Sequence, residues 1–274
     1  MENNNLENVT EILDDKQLEE KKKKATLSII YYIIIMYFVG TIAQIILMFI
    51  APLITGIELM HPETMEIYQP NMDFIMSWTQ IVIYTSLTIG LVLLSKKYLL
   101  KYLTDFKNNW KKLSLEIVIG LGIFLGTNIL SSLFIQLLEI ESESANEEAI
   151  IRMLHGDYKL IITFIIIVLG PLCEEIIFRH SLFSLFRKNT NKWTKILISG
   201  AIFGSVHFLL TIIEYLSASV EFELIITELL LGITYIASGV ALGYIYSRSK
   251  ENLIPVLIIH IFNNLIAATE IFLM

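Results

Sequence analysis

The sequence contains a single cysteine, Cys173, among its 274 residues. One thiol excludes an internal disulfide and a zinc site built on several cysteines. Charged residues are also scarce, at 17% of the chain, whereas apolar residues make up 55% and the mean hydropathy is +0.66. Ordinary soluble domains are more charged and less apolar than this. The composition therefore predicts a protein of the lipid bilayer.

Seven apolar segments are long enough to cross the hydrocarbon core as helices, which takes about 20 residues each. They lie at 27–51, 74–95, 115–138, 160–186, 194–213, 223–247 and 253–273. No internal repeat relates them, and no segment has the composition of a separate soluble domain. The sequence therefore predicts an all-α, polytopic bundle of about seven transmembrane helices.

Lysine and arginine are distributed unevenly around these segments. Seventeen of the 20 lie before the first segment or in the connections after the second, fourth and sixth. The opposite connections hold Arg152 and Lys159, and Arg179 lies inside a segment. Short cytoplasmic loops hold the excess of basic residues, so the N-terminus is predicted to be cytoplasmic. The first segment is predicted to be an uncleaved signal anchor because it is long and lacks a small-residue cleavage site.

The net charge of −7 originates largely in the outer connections. The acidic residues concerned are Glu139, Glu141, Glu143, Glu147, Glu148 and Asp157. We expect these connections to be solvated loops that offer nucleic acid no basic surface. The chain is therefore predicted to have no nucleic-acid partner.

The first three segments carry almost no ionisable groups. Polar side chains there, such as Asn128, are expected to be satisfied by neighbouring helices. Gly120, Gly122 and Gly126 suit close helix packing. This part of the chain is therefore interpreted as scaffold.

From residue 160 onward, the apolar segments contain ionisable and amide side chains at depth. These are Glu174, Glu175, Arg179, His180, His207, His260, Asn263 and Asn264. A charge at the centre of a membrane helix costs about 2.5 kcal/mol or more, so such groups mark function by default. The second half of the chain is therefore expected to hold the functional site.

Two adjacent carboxylates, Glu174 and Glu175, follow Gly170 and Pro171, which weaken the helix just before them. Glu175 and Arg179 are four residues apart and can form an ion pair on one helix face. Glu174 is then turned about 100° away and can face a different neighbour. We expect one structural anion and one carboxylate available as a base.

The two deep histidines and an asparagine lie at the same level as these acids. Glu174, His207, His260 and Asn264 each lie 10 to 14 residues from a basic residue at the inner end of their segment. At 1.5 Å per residue, all are roughly 15 to 21 Å from that end, so three helices can present them together. Gly204, close to His207, would let a neighbouring helix or a substrate approach.

These groups suit the hydrolysis of a peptide bond. A carboxylate and an imidazole can deprotonate a water molecule, while a second imidazole and an amide donate to a developing oxyanion. Alternatively, Glu174, His207 and His260 could bind Zn²⁺ as three protein ligands that leave one position for water. The sequence leaves both possibilities open, either no cofactor or zinc.

The same residues resemble the three motifs of the CPBP family, which includes the type II CAAX prenyl proteases and bacterial Abi proteins. The motifs Glu-Glu-x-x-x-Arg, Phe-x-x-x-His and His-x-x-x-Asn fall on Glu174, Glu175 and Arg179, on Phe203 and His207, and on His260 and Asn264. The resemblance implies an intramembrane endopeptidase. Within it, Glu174 and His207 activate water, His260 and Asn264 stabilise the oxyanion, and Glu175, Arg179 and Phe203 support them.

Composition and the position of the motifs predict a division of the chain into a cytoplasmic tail at 1–24, scaffold helices at 25–150 and a catalytic bundle at 151–274. The eighth span of some family members is not expected, because ten residues follow Asn264. Composition rich in Ile, Lys and Asn suggests a bacterial plasma membrane. The expected partners are the bilayer and a membrane-associated peptide or protein.

Two other functions are compatible with deep polar residues. A non-catalytic membrane protein could bind a peptide, confer immunity or act as a scaffold, and keep the polar cluster only for helix packing. A transporter or proton relay also places Glu and His in the membrane. It would be expected to show an internal repeat or paired broken helices, which the sequence lacks.

Overall fold

The structure, a computed structural model, describes the backbone of residues 2–273 and the side chains of residues 16–273. Within that part of the chain the fold is all-α, as predicted, with eight principal helices. In chain order they are α1 (Lys16–Thr55), α2 (Gln69–Asn108), α3 (Trp110–Leu137), α4 (Ala145–His155), α5 (Lys159–Leu185), α6 (Lys192–Ser217), α7 (Phe222–Arg248) and α8 (Leu253–Leu273).

All of these helices except α4 are long and apolar enough to cross a membrane, so the predicted count of seven spans is confirmed. Their outward faces carry exposed bulky apolar side chains, among them Phe49, Leu53, Leu137 and Leu160. Apolar surface on this scale is covered by lipid in a membrane protein. The chain is therefore a multi-pass integral membrane protein.

The helices α1 and α2 are longer than predicted. Each has 40 residues, which is about 60 Å at 1.5 Å per residue, against a hydrocarbon core of about 30 Å. Their ends therefore extend beyond the apolar segments 27–51 and 74–95. The backbone that leads into α1 is already helical from Glu2.

Helix α4 corrects the expectation that the acidic outer connection is only a solvated loop. The hydroxyl of Ser144 accepts a hydrogen bond from the backbone N–H of Glu147, which caps the first turn. Glu147 and Glu148 in its first turn are exposed as expected, but Met153 and Leu154 in its last turn are buried against the bundle. The connection therefore forms an amphipathic helix that lies on the membrane spans.

One apolar core joins the two halves of the chain. Its buried members include Tyr32 of α1, Leu87 of α2 and Phe124 of α3, packed with Ile176 of α5 and Leu242 of α7. The predicted scaffold spans are therefore part of the same core as the site-bearing spans. The boundaries at 24 and 150 stay a prediction.

Helices α6 and α7 approach each other closely. A Cβ atom on Gly204 would lie 2.5 Å from the backbone nitrogen of Ile236, and one on Gly239 would lie 2.6 Å from the carbonyl oxygen of Gly200. These glycines let the two backbones touch, as small residues do in membrane helix pairs. The neighbour admitted by Gly204 is thus a helix.

The glycines of α3 do not all have the packing role predicted for them. A Cβ atom on Gly120 would lie 2.4 Å from the terminal methyl group of Ile259 on α8, so the glycine lets the two helices pack closely. Gly122 and Gly126 have no such neighbour within 4 Å. The prediction was therefore right for Gly120 and wrong for the other two.

Candidate active site

The two adjacent carboxylates of α5 have different surroundings. Glu175 and Arg179 are fully buried, and Arg179 Nη1 lies 3.3 Å from Glu175 Oε1. The predicted ion pair is therefore present. The side chain of Glu174 keeps 14% of its surface exposed and lines a cavity inside the bundle.

The buried guanidinium of Arg179 is stabilised from two further directions. Its Nη2 donates to the carbonyl oxygen of Gly239 on α7 at 3.0 Å. Its central carbon lies 4.5 Å from the centre of the Phe203 ring on α6, a cation–π contact. Glu175, Arg179 and Phe203 thus join three helices behind the cavity.

His260 of α8 lies between the two carboxylates. Its Nδ1 is 2.8 Å from Glu175 Oε1, and its Nε2 is 3.6 Å from Glu174 Oε2. An ionised carboxylate only accepts, so Nδ1–H donates to Glu175. The buried anion therefore fixes the ring and leaves Nε2 on the side of Glu174.

His207 of α6 is held by aromatic rings. Phe203, one turn earlier, contacts the imidazole edge to face with ring centres 5.0 Å apart. Tyr235 of α7 stacks on it at 4.8 Å with an angle of 18° between the planes. The Nε2 atom of His207 is buried and has no hydrogen-bond partner among the described residues.

Asn264 is positioned by a break in the hydrogen bonding of α5. The stretch Ile165–Leu169 is π-helical, and the N–H of Gly170 bonds to the carbonyl of Ile165 instead of Ile166. The next residue, Pro171, has no N–H to offer. The carbonyl oxygen of Ile166 is therefore left free, and Asn264 Nδ2 donates to it at 2.9 Å.

A second π-helical stretch, Glu175–Ser181, follows the same logic. The N–H of Leu182 bonds to Ile177, so the carbonyl of Phe178 loses its helical partner. Ser199 of α6 donates to that carbonyl at 2.7 Å. Single turns of π-helix often occur at functional sites, and here they lie on both sides of Glu174.

A row of three asparagines connects the site to α3. Asn128 Nδ2 donates to Asn263 Oδ1 at 2.7 Å, and Asn263 Nδ2 lies 3.4 Å from Asn264 Oδ1. The expectation that a neighbouring helix satisfies Asn128 is confirmed. The row ends at the amide that binds Ile166.

All four residues predicted to be catalytic line one cavity of about 330 Å³. Glu174, His207, His260 and Asn264 come from α5, α6 and α8, as the matched depths predicted. Phe203 also lines the cavity, whereas Glu175 and Arg179 lie behind it. Its remaining wall includes side chains from α1, α2, α3, α4 and α7, namely Tyr32, Tyr84, Phe124, Met153 and Tyr235.

The predicted zinc alternative does not match this geometry. Among the described residues, no three His, Cys, Asp or Glu side chains are grouped so that they could hold a metal ion. A catalytic zinc site requires three protein ligands around one point. Glu174, His207 and His260 share a cavity but do not form such a set.

Sequence reasoning missed the contacts that α4 makes with the site. Ser144 Oγ lies 2.8 Å from the hydroxyl of Tyr235, and Asn146 Nδ2 donates to the same hydroxyl at 3.2 Å. The pattern Ser144-x-x-Glu147 is a capping-box signature that could have indicated this helix. No pattern in the sequence pointed to Tyr235.

The fold and the site define a polytopic membrane protein with carboxylates, imidazoles and amides gathered inside its spans. Residues 156–266 match the family model described as Type II CAAX prenyl endopeptidase Rce1-like. That segment contains all three motifs. The resemblance to the CPBP family is therefore confirmed, and residues 156–266 are its Rce1-like region.

Two curated bacterial proteins are similar to the chain. The "Putative membrane peptidase YdiL" of Bacillus subtilis is 32% identical over 117 residues, which cover 43% of this chain and 39% of that protein. An uncharacterized protein of Mycoplasma capricolum is 31% identical over 175 residues, 61% of this chain and 46% of that protein. The chain thus matches less than half the length of these relatives. No solved structure gives a significant match.

Proposed function

We propose that the protein is an intramembrane endopeptidase that hydrolyses a peptide bond of a membrane-associated peptide or protein. The observation that carries the proposal is the convergence of Glu174, His207, His260 and Asn264 on one cavity within the spans. The Rce1-like region and the name of the Bacillus relative support it.

Glu174 and His207 hold the attacking water in this proposal. Glu174 takes a proton from the water, and the hydroxide attacks the carbonyl carbon of the scissile bond. When the tetrahedral intermediate collapses, the C–N bond breaks and that proton passes to the leaving amine. Glu174 suits this part because its side chain faces the cavity, whereas that of Glu175 is fully buried.

His260 and Asn264 stabilise the oxyanion of the intermediate. Nδ1–H of His260 donates to Glu175, so Nε2 is the atom that remains for the substrate, and it donates to the oxyanion when the ring carries its second proton as an imidazolium. Asn264 uses its amide nitrogen to bind the carbonyl of Ile166, and the second N–H of that amide remains for the substrate. Donors fixed before the substrate arrives need little reorganisation during the reaction.

The substrate is proposed to be a peptide that reaches the bundle from the bilayer. Both curated relatives are bacterial, which supports a bacterial plasma membrane, where prenylated CAAX proteins are not expected. With the basic ends of the spans cytoplasmic, cleavage would take place near the cytoplasmic half of the bilayer.

The rival function is a non-catalytic membrane protein that uses the same cluster for helix packing. It is weaker because packing explains Glu175 and Arg179, which are sealed in the core, but not Glu174, which faces a cavity. The rival predicts that Glu174→Gln leaves the function of the protein intact.

The test is cleavage of a membrane-associated peptide library by the purified protein in nanodiscs. We expect Glu174→Gln and His207→Ala to lower kcat by about 100-fold or more, the usual contribution of acid–base catalysis. The matched controls are Glu148→Gln and His155→Ala, which alter exposed residues of α4. A strong chelator is expected to leave cleavage unchanged, since no step uses a metal.

Each arm of this test has a result that contradicts the proposal. Full activity in both Glu174→Gln and His207→Ala would reject the site assignment. A folded parent that cleaves no member of a broad library would favour the non-catalytic function. Loss of cleavage on chelation, restored by added zinc, would replace the water-activation step with a metal-assisted one.

A further inference from the structure

Tyr235 contacts the site without belonging to any of the three motifs. Its ring stacks on the imidazole of His207, with centres 4.8 Å apart and planes inclined by 18°. Phe203 meets the same imidazole edge to face at 5.0 Å. The plane of the His207 ring is therefore set by one aromatic side chain from its own helix and one from α7.

The two histidines of the site are held in different ways. His260 has a buried carboxylate, Glu175, on its Nδ1 atom. The Nε2 atom of His207 has no hydrogen-bond partner within the part of the chain that is described. The orientation of His207 is therefore fixed by ring contacts, whereas that of His260 is fixed by a hydrogen bond. A functional side chain needs such support to stay within about 0.5 Å of its productive position.

The Tyr235 ring is itself held from its hydroxyl end by α4. Ser144 Oγ lies 2.8 Å from that hydroxyl, and Asn146 Nδ2 donates to it at 3.2 Å. Two turns earlier on α7, the buried Glu228 accepts a hydrogen bond from the backbone N–H of Ala145 at 3.2 Å. The N-terminus of α4 is thus docked on one face of α7.

We infer, on the basis of the proposed function, that Tyr235 is a positioning residue for His207. The docked N-terminus of α4 fixes the hydroxyl, and the hydroxyl fixes the ring that stacks on the imidazole. The same helix also supplies Asn146 and Met153 to the cavity wall.

The test compares Tyr235→Leu, which removes the ring, with Tyr235→Phe, which removes only the hydroxyl. The matched control is Tyr244→Leu, which removes another stacked ring of α7, the one lying 5.5 Å from Trp193. We expect Tyr235→Leu to lower kcat by about 100-fold with little change in KM, since misplacing a catalytic group by 1 Å can have that effect. Tyr235→Phe should lose about 10-fold at most.

Ser144→Ala should lower kcat to the same extent as Tyr235→Phe, and the double variant should lose no more than either single variant. The inference is overturned if Tyr235→Leu has the kcat of Tyr244→Leu, or if Tyr235→Phe loses as much as Tyr235→Leu.

A second readout does not depend on proteolysis. Acylation of His207 by diethyl pyrocarbonate, mapped by mass spectrometry, should rise about five-fold in Tyr235→Leu, because the covering aromatic ring is lost. Tyr244→Leu should leave it unchanged. Unchanged labelling in Tyr235→Leu would overturn the inference by itself. Raised labelling together with a parent that cleaves nothing would contradict the proposed function alone.

A separate observation concerns the end of the bundle where the basic residues lie. Among the described side chains, seven lysines and arginines and three acidic residues, Asp105, Glu116 and Glu251, line a second cavity of about 740 Å³. Two of the acids already have cationic partners, because Glu116 binds Arg248 at 2.8 Å and Glu251 lies 3.5 Å from Lys195. Within the described part of the lining, positive charges therefore outnumber negative ones.

Lys101 and Lys112 contribute to this excess. Neither forms an ion pair with any residue whose side chain the structure describes, and they project from α2 and α3 into the same cavity. Lys101 lies seven residues beyond Leu94, the last apolar residue before the basic stretch, which is about 10 Å along the helix. That distance places it beyond the hydrocarbon core, on the polar side of the membrane surface.

We propose that this cavity binds the phosphate of an anionic lipid headgroup. Basic pockets between membrane helices are suited to such headgroups. The concave shape and the uncompensated charge distinguish this cavity from the basic residues that merely flank the spans, such as Lys96 and Lys107, which are exposed and do not line it.

Native mass spectrometry and thermal unfolding in detergent test this proposal with added phosphatidylglycerol, phosphatidylcholine or inorganic phosphate. We expect phosphatidylglycerol to stay bound and to raise the unfolding midpoint, and the other two to have little effect. Lys101→Gln with Lys112→Gln should abolish the effect, and Lys96→Gln with Lys107→Gln should keep it. Equal loss in both double variants would show general attraction to the surface and overturn the proposal. An equal effect of inorganic phosphate would reject the lipid as the ligand.

Discussion

His260 Nδ1 donates a hydrogen bond of 2.8 Å to Glu175 Oε1, and the same ring turns its Nε2 toward Glu174 at 3.6 Å. Two adjacent carboxylates of one helix thus contact opposite nitrogens of one imidazole. Glu175 is sealed in the core with Arg179, whereas Glu174 faces the cavity. Glu175 therefore fixes the orientation of the imidazole that Glu174 faces.

The buried carboxylate is expected to be essential for folding. Glu175→Gln leaves Arg179 as an uncompensated charge in the core, so the free energy of unfolding should fall by about 3 kcal/mol or more. Thermal or denaturant unfolding in detergent measures this change. Glu174→Gln should have a much smaller effect on stability, although it should lower kcat by about 100-fold or more.

Glu116→Gln is the matched control for Glu175→Gln, since it removes the carboxylate partner of Arg248 at the solvent-facing end of the spans. An exposed ion pair contributes about 0–1 kcal/mol, so this variant should unfold nearly as the parent does. Equal destabilisation by Glu175→Gln and Glu116→Gln would show that burial of the Glu175–Arg179 ion pair does not determine its contribution to stability.

The row of asparagines is expected to affect catalysis from a distance. Asn128→Ala removes the bond that holds Asn263, which in turn neighbours Asn264. We expect kcat to fall about 10-fold, because the oxyanion donor is less well placed, with little change in KM. Thr127→Val is the control, since Thr127 bonds only to the carbonyl of Ile123 in its own helix. A raised KM with unchanged kcat would mean that Asn128 contributes to substrate binding instead.

The arrangement of spans could be predicted from the sequence because hydropathy determines which helices cross a bilayer. The pairing of Glu175 with Arg179 and the shared depth of Glu174, His207 and His260 could also be predicted, because helix periodicity and rise are regular. The depth of a residue along a helix does not show which way its side chain points around the helix axis. The sequence therefore could not show that His260, and not only Arg179, is bound to Glu175.

Two features of the site could not be predicted from the spacing of residues in the sequence. The π-helical turn at Ile165–Leu169 shifts the hydrogen bonding by one residue, so the bond from Asn264 to Ile166 depends on a local irregularity. The stacking of Tyr235 on His207 depends on the close contact of α6 with α7. Both are tertiary contacts without a periodic signature.

The cytoplasmic position of the N-terminus stays a prediction and can be tested by labelling. Single cysteines are placed at Glu143 and at Lys107 in a Cys173→Ala background, which removes the native thiol. In intact cells, a membrane-impermeant maleimide should label position 143 but reach position 107 only after lysis, because basic connections stay inside. The reverse labelling pattern would show that the N-terminus lies outside the cytoplasm. The cavity of the basic end would then face the outer leaflet.

Pro171 is expected to favour activity over stability. In Pro171→Ala the new N–H can donate to the carbonyl of Ile167, and the N–H of Gly170 can return to Ile166, which restores α-helical bonding. The free energy of unfolding should then rise by roughly 1–3 kcal/mol, since an interior proline is removed. Asn264 would lose its acceptor, so kcat should fall about 10-fold.

Pro255→Ala is the control for Pro171→Ala, because Pro255 lies in the first turn of α8, where a missing N–H disturbs no helical bond. Unfolding and peptide cleavage are measured for both variants. Higher stability with the kcat of the parent would show that Asn264 does not need the carbonyl of Ile166. Lower stability in Pro171→Ala would show instead that packing of the proline ring, and not the broken hydrogen bonding, is what this position contributes.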